Sequence, residues 1–269
     1  MTSQDRKPAL LPLPALLFLP LTLVPLPCLS QDESAISQKM TLGLFSSRGD
    51  YGASERTDIH YIPLSYELAR FPWIVSLTVP WLALQGPGDV FLEAGNIGRP
   101  GSSPQDSISE AGQGDVIVTG TYQMDPLFNG FAFLDLSVQL KVPTADETRD
   151  LGTGEVDVSY QMDLYKTVDS TTLFTTLGYR RRGRTSLYDL ENSLYFSLGG
   201  MRQVSTNTNL GLLYDYREAA SSSAYESHEL MPFISWDRGQ GWNYMLYAIF
   251  GFTPGSADQA LGAQISYSW

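Results

Sequence analysis

The chain has 269 residues, enough for one large domain or two small ones. Its net charge of −12 and isoelectric point near 4.5 argue against a nucleic-acid or other phosphate-rich partner. Charged residues make up only 17% of the chain, while Gly (24) and Tyr (15) are plentiful. An average domain carries about 25% charge, so this is the composition of a turn-rich, aromatic-rich β protein rather than a helical one.

The amino terminus reads as an export signal. Arg6 and Lys7 precede an apolar run from Ala9 to Pro27, and small residues at Cys28 and Ser30 suit cleavage before Gln31. A membrane anchor is disfavoured because Pro12, Pro14, Pro20, Pro25 and Pro27 would break its helix repeatedly. A lipoprotein is disfavoured because Pro27 stands where a small residue should precede the lipidated cysteine. The expected division is a signal peptide over 1–30 and one barrel domain over 31–269. With cleavage after Ser30, Cys28, the only cysteine, would leave with the signal, and the mature chain would have no disulfide, thiol nucleophile or thiolate metal site.

The mature chain then alternates. Residues 39–45 place Met40, Leu42 and Leu44 on one face, and a Gly/Ser/Asp loop is expected over 46–56. Residues 57–68 align Ile62, Leu64, Tyr66 and Leu68, and 72–84 align Trp73, Val75, Leu77, Val79, Trp81 and Ala83. Trp73 and Trp81 lie roughly 26 Å apart along a strand. With a tilt of about 40° that is about 20 Å along a membrane normal, near the spacing of two aromatic girdles. Residues 85–114, rich in Gly, Pro and Ser, are expected to form a long irregular loop.

A strand over 115–124 and a turn at 125–129 lead to the most regular pair. Ala132, Leu134, Leu136, Val138, Leu140 and Val142 alternate with Phe133, Asp135, Ser137, Gln139 and Lys141. After a turn-forming loop, Val156, Val158, Tyr160, Met162 and Leu164 alternate with Asp157, Ser159, Gln161 and Asp163. Further strands follow over 171–182 (Leu173, Leu177 and Tyr179 outward, Thr176 and Arg180 inward), 190–198 (with Asn192 out of place on the apolar side), 208–217 and 229–237. The last two are 242–252 and the closing run Leu261, Ala263, Ile265, Tyr267 and Trp269.

A soluble sandwich strand averages about 5–6 residues, whereas a membrane-barrel strand needs about 9–11. The lengths favour an all-β, antiparallel transmembrane barrel of about twelve strands, with both termini at one end and the long loops at the other. Mean hydropathy of −0.12 does not oppose this, because alternation hides a lipid face. A soluble exported β-sandwich is the fold-level alternative. Pro63, Pro80 and Pro232 fall inside strands, so bulges or local ladder breaks are expected there. In the strand over 242–252 the inward face holds Met245, Tyr247 and Ile249, which points to a partly greasy lumen or a plug.

Three stretches, GQGDVIVTGTY at 112–122, LKVPTAD at 140–146 and LGTGEVD at 151–157, carry a family resemblance, together with FTPGS at 252–256 and ISYSW at 265–269. Over residue 112 to the end, the chain resembles bacterial outer-membrane barrels grouped as "MetA-pathway of phenol degradation" transporters. The resemblance implies a barrel that helps small, often aromatic or hydrophobic, compounds cross. It also implies that Trp269 is the terminal aromatic read by barrel-insertion machinery.

Catalytic chemistry finds little footing. Only two histidines exist, and neither His60 nor His228 has a serine two residues on, as barrel lipid hydrolases would need. Ser227 and His228 are adjacent, so on a strand they point to opposite faces. No phosphate loop, dinucleotide fingerprint or zinc motif is present. The acidic loop over 146–150 could hold divalent cations near lipopolysaccharide, but it lacks a spaced ligand motif and a solvated loop accounts for it better.

The expected lumen-lining residues are Asp135, Gln139, Lys141, Asp157, Gln161, Asp163 and Arg180, with the aromatics Phe133, Tyr165, Tyr195, Phe233 and Tyr247. The charges would brace the wall or set selectivity. The aromatics would either line a path for apolar solutes or pack the interior. The reading is a channel for passive passage of small solutes, neither an enzyme nor a cofactor protein. Its expected partners are outer-membrane lipid and lipopolysaccharide, the assembly machinery and a small solute. A structural or adhesion barrel with a closed lumen, and less favourably a barrel lipid hydrolase, are the alternatives.

Overall fold

The structure is a computed structural model that describes residues 35–269, apart from 53–54, 88–90, 94–95, 99–106, 125, 128–130 and 185–188. The expected signal peptide therefore lies outside the described residues. Three long strands open the chain: β1 (Ser37–Gly49), β2 (Thr57–Arg70) and β3 (Trp73–Pro87). Among the described residues, two short strands, β4 (Phe91–Glu93) and β5 (Asn96–Gly98), pair only with each other. Next come β6 (Ser107–Gln113), β7 (Val116–Gln123), β8 (Phe133–Val142), β9 (Asp157–Val168) and β10 (Thr171–Arg181). The remaining strands are β11 (Ser193–Ser205), β12 (Thr208–Arg217), β13 (Ser227–Gly239), β14 (Trp242–Gly251) and β15 (Gln259–Ser268).

Neighbours in sequence pair antiparallel, and β1 closes the ring on β15 from Lys39↔Ser268 to Arg48↔Gln259. Strands β6 and β7 both pair with β3 and together form one wall strand, giving a closed barrel of twelve. Closure removes the exposed edges that an open sheet would present. Tight two-residue turns at 71–72, 169–170, 206–207 and 240–241 lie at the end that holds both described termini. At one of them Gln240 (φ 53°) and Gly241 (φ 85°) are both left-handed, as a primed hairpin turn requires. Apart from the β7–β8 connection (124–132), which is also at the terminal end, the longer connections gather at the opposite, loop end.

The outer face is a continuous apolar belt. Leu42, Leu64, Leu77, Val138, Met162, Leu177, Leu198, Leu212 and Leu246 are all exposed around it. Water-soluble proteins rarely expose apolar patches beyond a few hundred Å2, so this belt faces hydrocarbon rather than water. Trp73 and Trp81 both point outward near its two margins, and at the terminal end Trp242, Tyr267, Trp269 and Tyr66 form a chain of ring contacts.

Several boundaries differ from the sequence reading. The stretch expected to be an irregular loop contains strand β6, β1 runs on to Gly49, and β11 to Ser205. Asn192 precedes β11 rather than marring it, and its Oδ1 accepts from the Arg182 backbone N–H at 3.0 Å. Ala132, expected to face outward, is buried where it pairs with Leu127 at the turn. Pro63 and Pro232 interrupt a ladder without shifting its register, since Leu42↔Leu64 resumes as Phe45↔Tyr61, and Leu230↔Phe250 as Phe233↔Tyr247. The bulge expected at Pro80 sits on the opposing strand. Thr78 pairs with Ile117 but Trp81 pairs with Gln113, so one extra residue is accommodated around Gly114 and Asp115. The Gly114 N–H still donates to the Pro80 carbonyl at 3.0 Å.

Inside, the two faces of the lumen differ. Phe45, Ile59, Tyr61, Leu82, Leu84, Met231, Phe233, Met245 and Ile249, mostly from β1–β3 and β13–β14, belong to one buried apolar cluster. The buried charges come mostly from β8–β12.

Candidate functional site

Every residue expected to line the lumen points inward. Asp135, Lys141, Asp157, Asp163 and Arg180 are buried at 1–2% exposure, Gln139 is buried, and Gln161 is half-buried. Alternation put them there, because each shares the inner parity of its strand. Which of them meet, however, depends on register.

The first charged centre is Lys141, on β8 near the loop end. Its Nζ lies 3.0 Å from Asp157 Oδ2 and 3.3 Å from Asp115 Oδ2, and donates to Thr153 Oγ1 at 2.6 Å. Asp115 Oδ1 in turn accepts from the backbone N–H groups of Thr144 and Ala145, both at 3.0 Å, and Asp157 Oδ1 from that of Gly183 at 2.8 Å. Charges buried to this degree are tolerated only when paired and hydrogen-bonded.

A second centre, which alternation alone did not single out, is Arg217 with Asp215 (2.8 Å) and Glu229. Glu229 Oε1 also accepts from the Ala257 backbone N–H at 3.3 Å. Asp215 and Arg217 alternate with Tyr214 and Tyr216, so the inner face of β12 carried the signal. Beside it, Arg182 donates from Nη1 to the Glu191 carbonyl at 2.5 Å and to Ser193 Oγ at 2.9 Å. Arg182, Tyr195, Arg217, Glu229 and Ala257 help line a cavity of about 30 Å3, room for a single water molecule.

Deeper in the lumen Asp135 and Asp163 stand directly opposite each other across β8 and β9. Tyr165 Oη donates to Asp135 Oδ2 at 2.9 Å, while Thr176 Oγ1 and Gln161 Nε2 each donate to Asp163 at 2.6 Å. Gln161 Oε1 also accepts from Tyr195 Oη at 3.0 Å. Arg180 points its Nε at Ser159 Oγ, 3.2 Å away. Hydroxyl pairs link other inner positions: Thr41 with Ser266, Ser65 with Thr78 and Thr121 with Ser137, at 2.8–3.0 Å.

Four of the five expected aromatics meet in one buried apolar cluster. Tyr165 and Phe233 are members of the buried apolar cluster, and Phe133 and Tyr247 pack against it. Phe133 stacks on Tyr165 at 5.7 Å, and Tyr247 faces Phe45 at 6.5 Å. Tyr195 is buried outside that cluster, its ring over Gly178.

The histidines face away from the lumen. His60 is exposed on the outer surface, and His228 lies on the outer side of β13, its Nδ1 2.7 Å from Tyr214 Oη. Ser227 is buried on the inner side, opposite to its neighbour. In the acidic loop, a 3-10 turn spans Glu147–Arg149, and Asp146 caps it by accepting from Thr148 Oγ1 (2.6 Å) and the Thr148 N–H (3.0 Å). These bonds hold the exposed Asp146 carboxyl below its usual range. The loop is a capped turn rather than a ring of carboxylates around a cation.

No protein-family model matches the sequence, and no curated protein matches it either. Solved structures do resemble it. An outer membrane channel from Pseudomonas putida F1 superposes with a TM-score of 0.60 at 13% identity, over 89% of this chain and 97% of that one. The KdgM porin gives 0.50 at 11% identity, over 85% and 99%. The translocator domain of autotransporter NalP from Neisseria meningitidis gives 0.50 at 8%, over 89% and 90%. At these identities the likeness is one of fold: the chain has the closed antiparallel barrel architecture of outer-membrane proteins.

Proposed function

We propose that the protein is an outer-membrane channel for passive passage of small solutes, aromatic or hydrophobic ones among them, and that it carries out no covalent chemistry. The observation that carries this reading is how the lumen is filled. Eight strands already enclose an interior that wall side chains can fill, and this barrel has twelve. Part of the surplus width is taken by connecting segments folded in from the loop end, where Tyr51, Leu151, Ala220 and Ala257 are buried. Segments of that kind can withdraw, whereas a wall cannot.

Under this reading Phe133, Tyr165, Phe233 and Tyr247 give apolar solutes a surface, while Asp135, Gln139, Lys141, Asp157, Gln161, Asp163 and Arg180 offer hydrogen bonds along the other side. The chain would be exported by its first 30 residues and inserted through recognition of Trp269, which is exposed beside Tyr267 at the terminal end. Its belt would meet acyl chains and lipopolysaccharide. Membership of the phenol-degradation transporter group rests on the turn and strand-end motifs. The Pseudomonas putida relative is described as a channel, which supports passage without naming a cargo.

The filled mouth also favours a second reading, a structural barrel with a sealed lumen. Swelling of proteoliposomes in small neutral solutes separates the two: a channel swells them above protein-free vesicles, and a sealed barrel does not.

A further inference from the structure

The three sequence stretches at 112–122, 140–146 and 151–157 come together in space, and they build one device. The extra residue around Gly114 and Asp115 reverses the parity of the wall strand. Above it Gly112 is buried on the inner side while Ala111 and Gln113 are exposed, and Asp115 is buried as well. The β8–β9 connection (143–156) then folds down onto that surface.

Asp150 (φ 55°) and Gly154 (φ 69°) are both left-handed and bracket a dip of three residues, Leu151, Gly152 and Thr153, all buried. Leu151 is 2% exposed and joins the apolar cluster inside the barrel. It seats where Gly112 leaves room, since a β-carbon at Gly112 would lie 2.7 Å from Leu151 Cδ1. Gly152 packs on the Asp115 carboxylate, where a β-carbon would come within 3.0 Å of both oxygens.

The two ends of the device are held differently. At its base, buried Lys141 ties Asp115, Asp157 and Thr153 together. At its tip, Arg149 reaches outward to Glu110 Oε2 at 2.7 Å and the Ala111 carbonyl at 2.9 Å, with the Arg149 side chain 45% exposed. A surface pair of this kind contributes little and is easily exchanged for water, whereas the buried base is costly to open.

We propose that residues 146–151 form a hinged lid: the buried centre of Lys141 and Asp115, which holds Thr144, Ala145 and Thr153 on either side of it, is its fixed base, the Arg149–Glu110 pair its releasable latch, and Leu151 the stopper that withdraws when a solute passes. This rests on the channel reading. It goes beyond it by naming the moving part.

The test uses the mature chain in planar bilayers with potassium chloride as the probe. Gly112→Cys and Leu151→Cys set two thiols facing each other at this contact, because a β-carbon at Gly112 would meet the tip of the Leu151 side chain at 2.7 Å, and mass spectrometry establishes that oxidation has joined them before current is measured. Cys28, the sole natural cysteine, lies in the expected leader. The oxidised double variant should carry at least tenfold less current than the same protein after reduction. Independently of that variant, Arg149→Ala and Glu110→Ala should each raise the open fraction several-fold. Equal currents before and after reduction, or single latch variants that gate like wild type, overturn the lid while leaving the channel standing. No current from any form, reduced or oxidised, overturns both.

Discussion

Tyr247 lies over Gly262. The two are register partners on β14 and β15, and a β-carbon at Gly262 would overlap the tyrosine ring. The arrangement recurs where Phe174 covers Gly199, Tyr195 covers Gly178 and Phe233 covers Gly211, each pair again directly cross-strand. Glycine leaves a floor on which an inward ring lies flat against the wall, and the ring restores the packing that glycine lacks. The pairing explains how bulky aromatics line a lumen without standing across it.

Gly262→Val should therefore lift the Tyr247 ring toward Phe45 and strain the wall. Overpacking of this kind costs about 1–3 kcal/mol. The urea midpoint of the refolded protein in lipid vesicles should fall accordingly, while Gly239→Ala, where nothing lies within 4 Å but the φ of 72° is left-handed, serves as a turn control.

Removing the Lys141 ammonium should be the most damaging single change among the charges. Lys141→Ala leaves Asp115 and Asp157 buried around an empty centre, a loss of about 3–5 kcal/mol by analogy with broken buried pairs. Arg48→Ala, which removes an exposed pair with Asp58, should change stability by under about 1 kcal/mol. Denaturation of the two variants side by side gives the comparison.

The outer belt predicts a depth dependence. Leu64→Lys, near the middle of β2 on the outer face, should cost about 2–4 kcal/mol in a bilayer, and Ser46→Lys near the loop-end margin about 0–1. Equal costs at both positions would mean that this face does not meet hydrocarbon.

Phe233→Ala and Tyr247→Ala remove two neighbouring rings of the apolar surface. Uptake of small aromatic solutes should fall several-fold, with passage of small sugars changed less. The His60→Ala, His228→Ala double variant should leave passage unchanged, since both rings lie outside the lumen; lost function there would reopen a hydrolase reading.

The alternation was legible because one physical fact, hydrocarbon outside and polar groups inside, is written into every second residue of the belt. Where strands rise beyond the belt, that signal stops. The outer face of β6 carries Ser109, Ala111 and Gln113, and the end of β1 carries Ser46 and Arg48, so these segments read as loop although they pair in the ladder. Inward positions could likewise be named one by one, as with Asp157 and Lys141. Their partners could not, because the bulge beside Pro80 sets which residues of β6 and β7 face the lumen. The bulge turns Asp115 inward and the left-handed turns at Asp150 and Gly154 turn Leu151 inward, neither of which alternation reports, and the glycine beneath each ring is visible only once strands are aligned.

The most direct test of the account is ionic current through the purified, refolded barrel in a planar lipid bilayer. A channel with a lid at its mouth predicts discrete, brief openings above the bare-membrane baseline, lengthened by Arg149→Ala. A correctly folded barrel that passes no current in wild-type or latch-free form would contradict it.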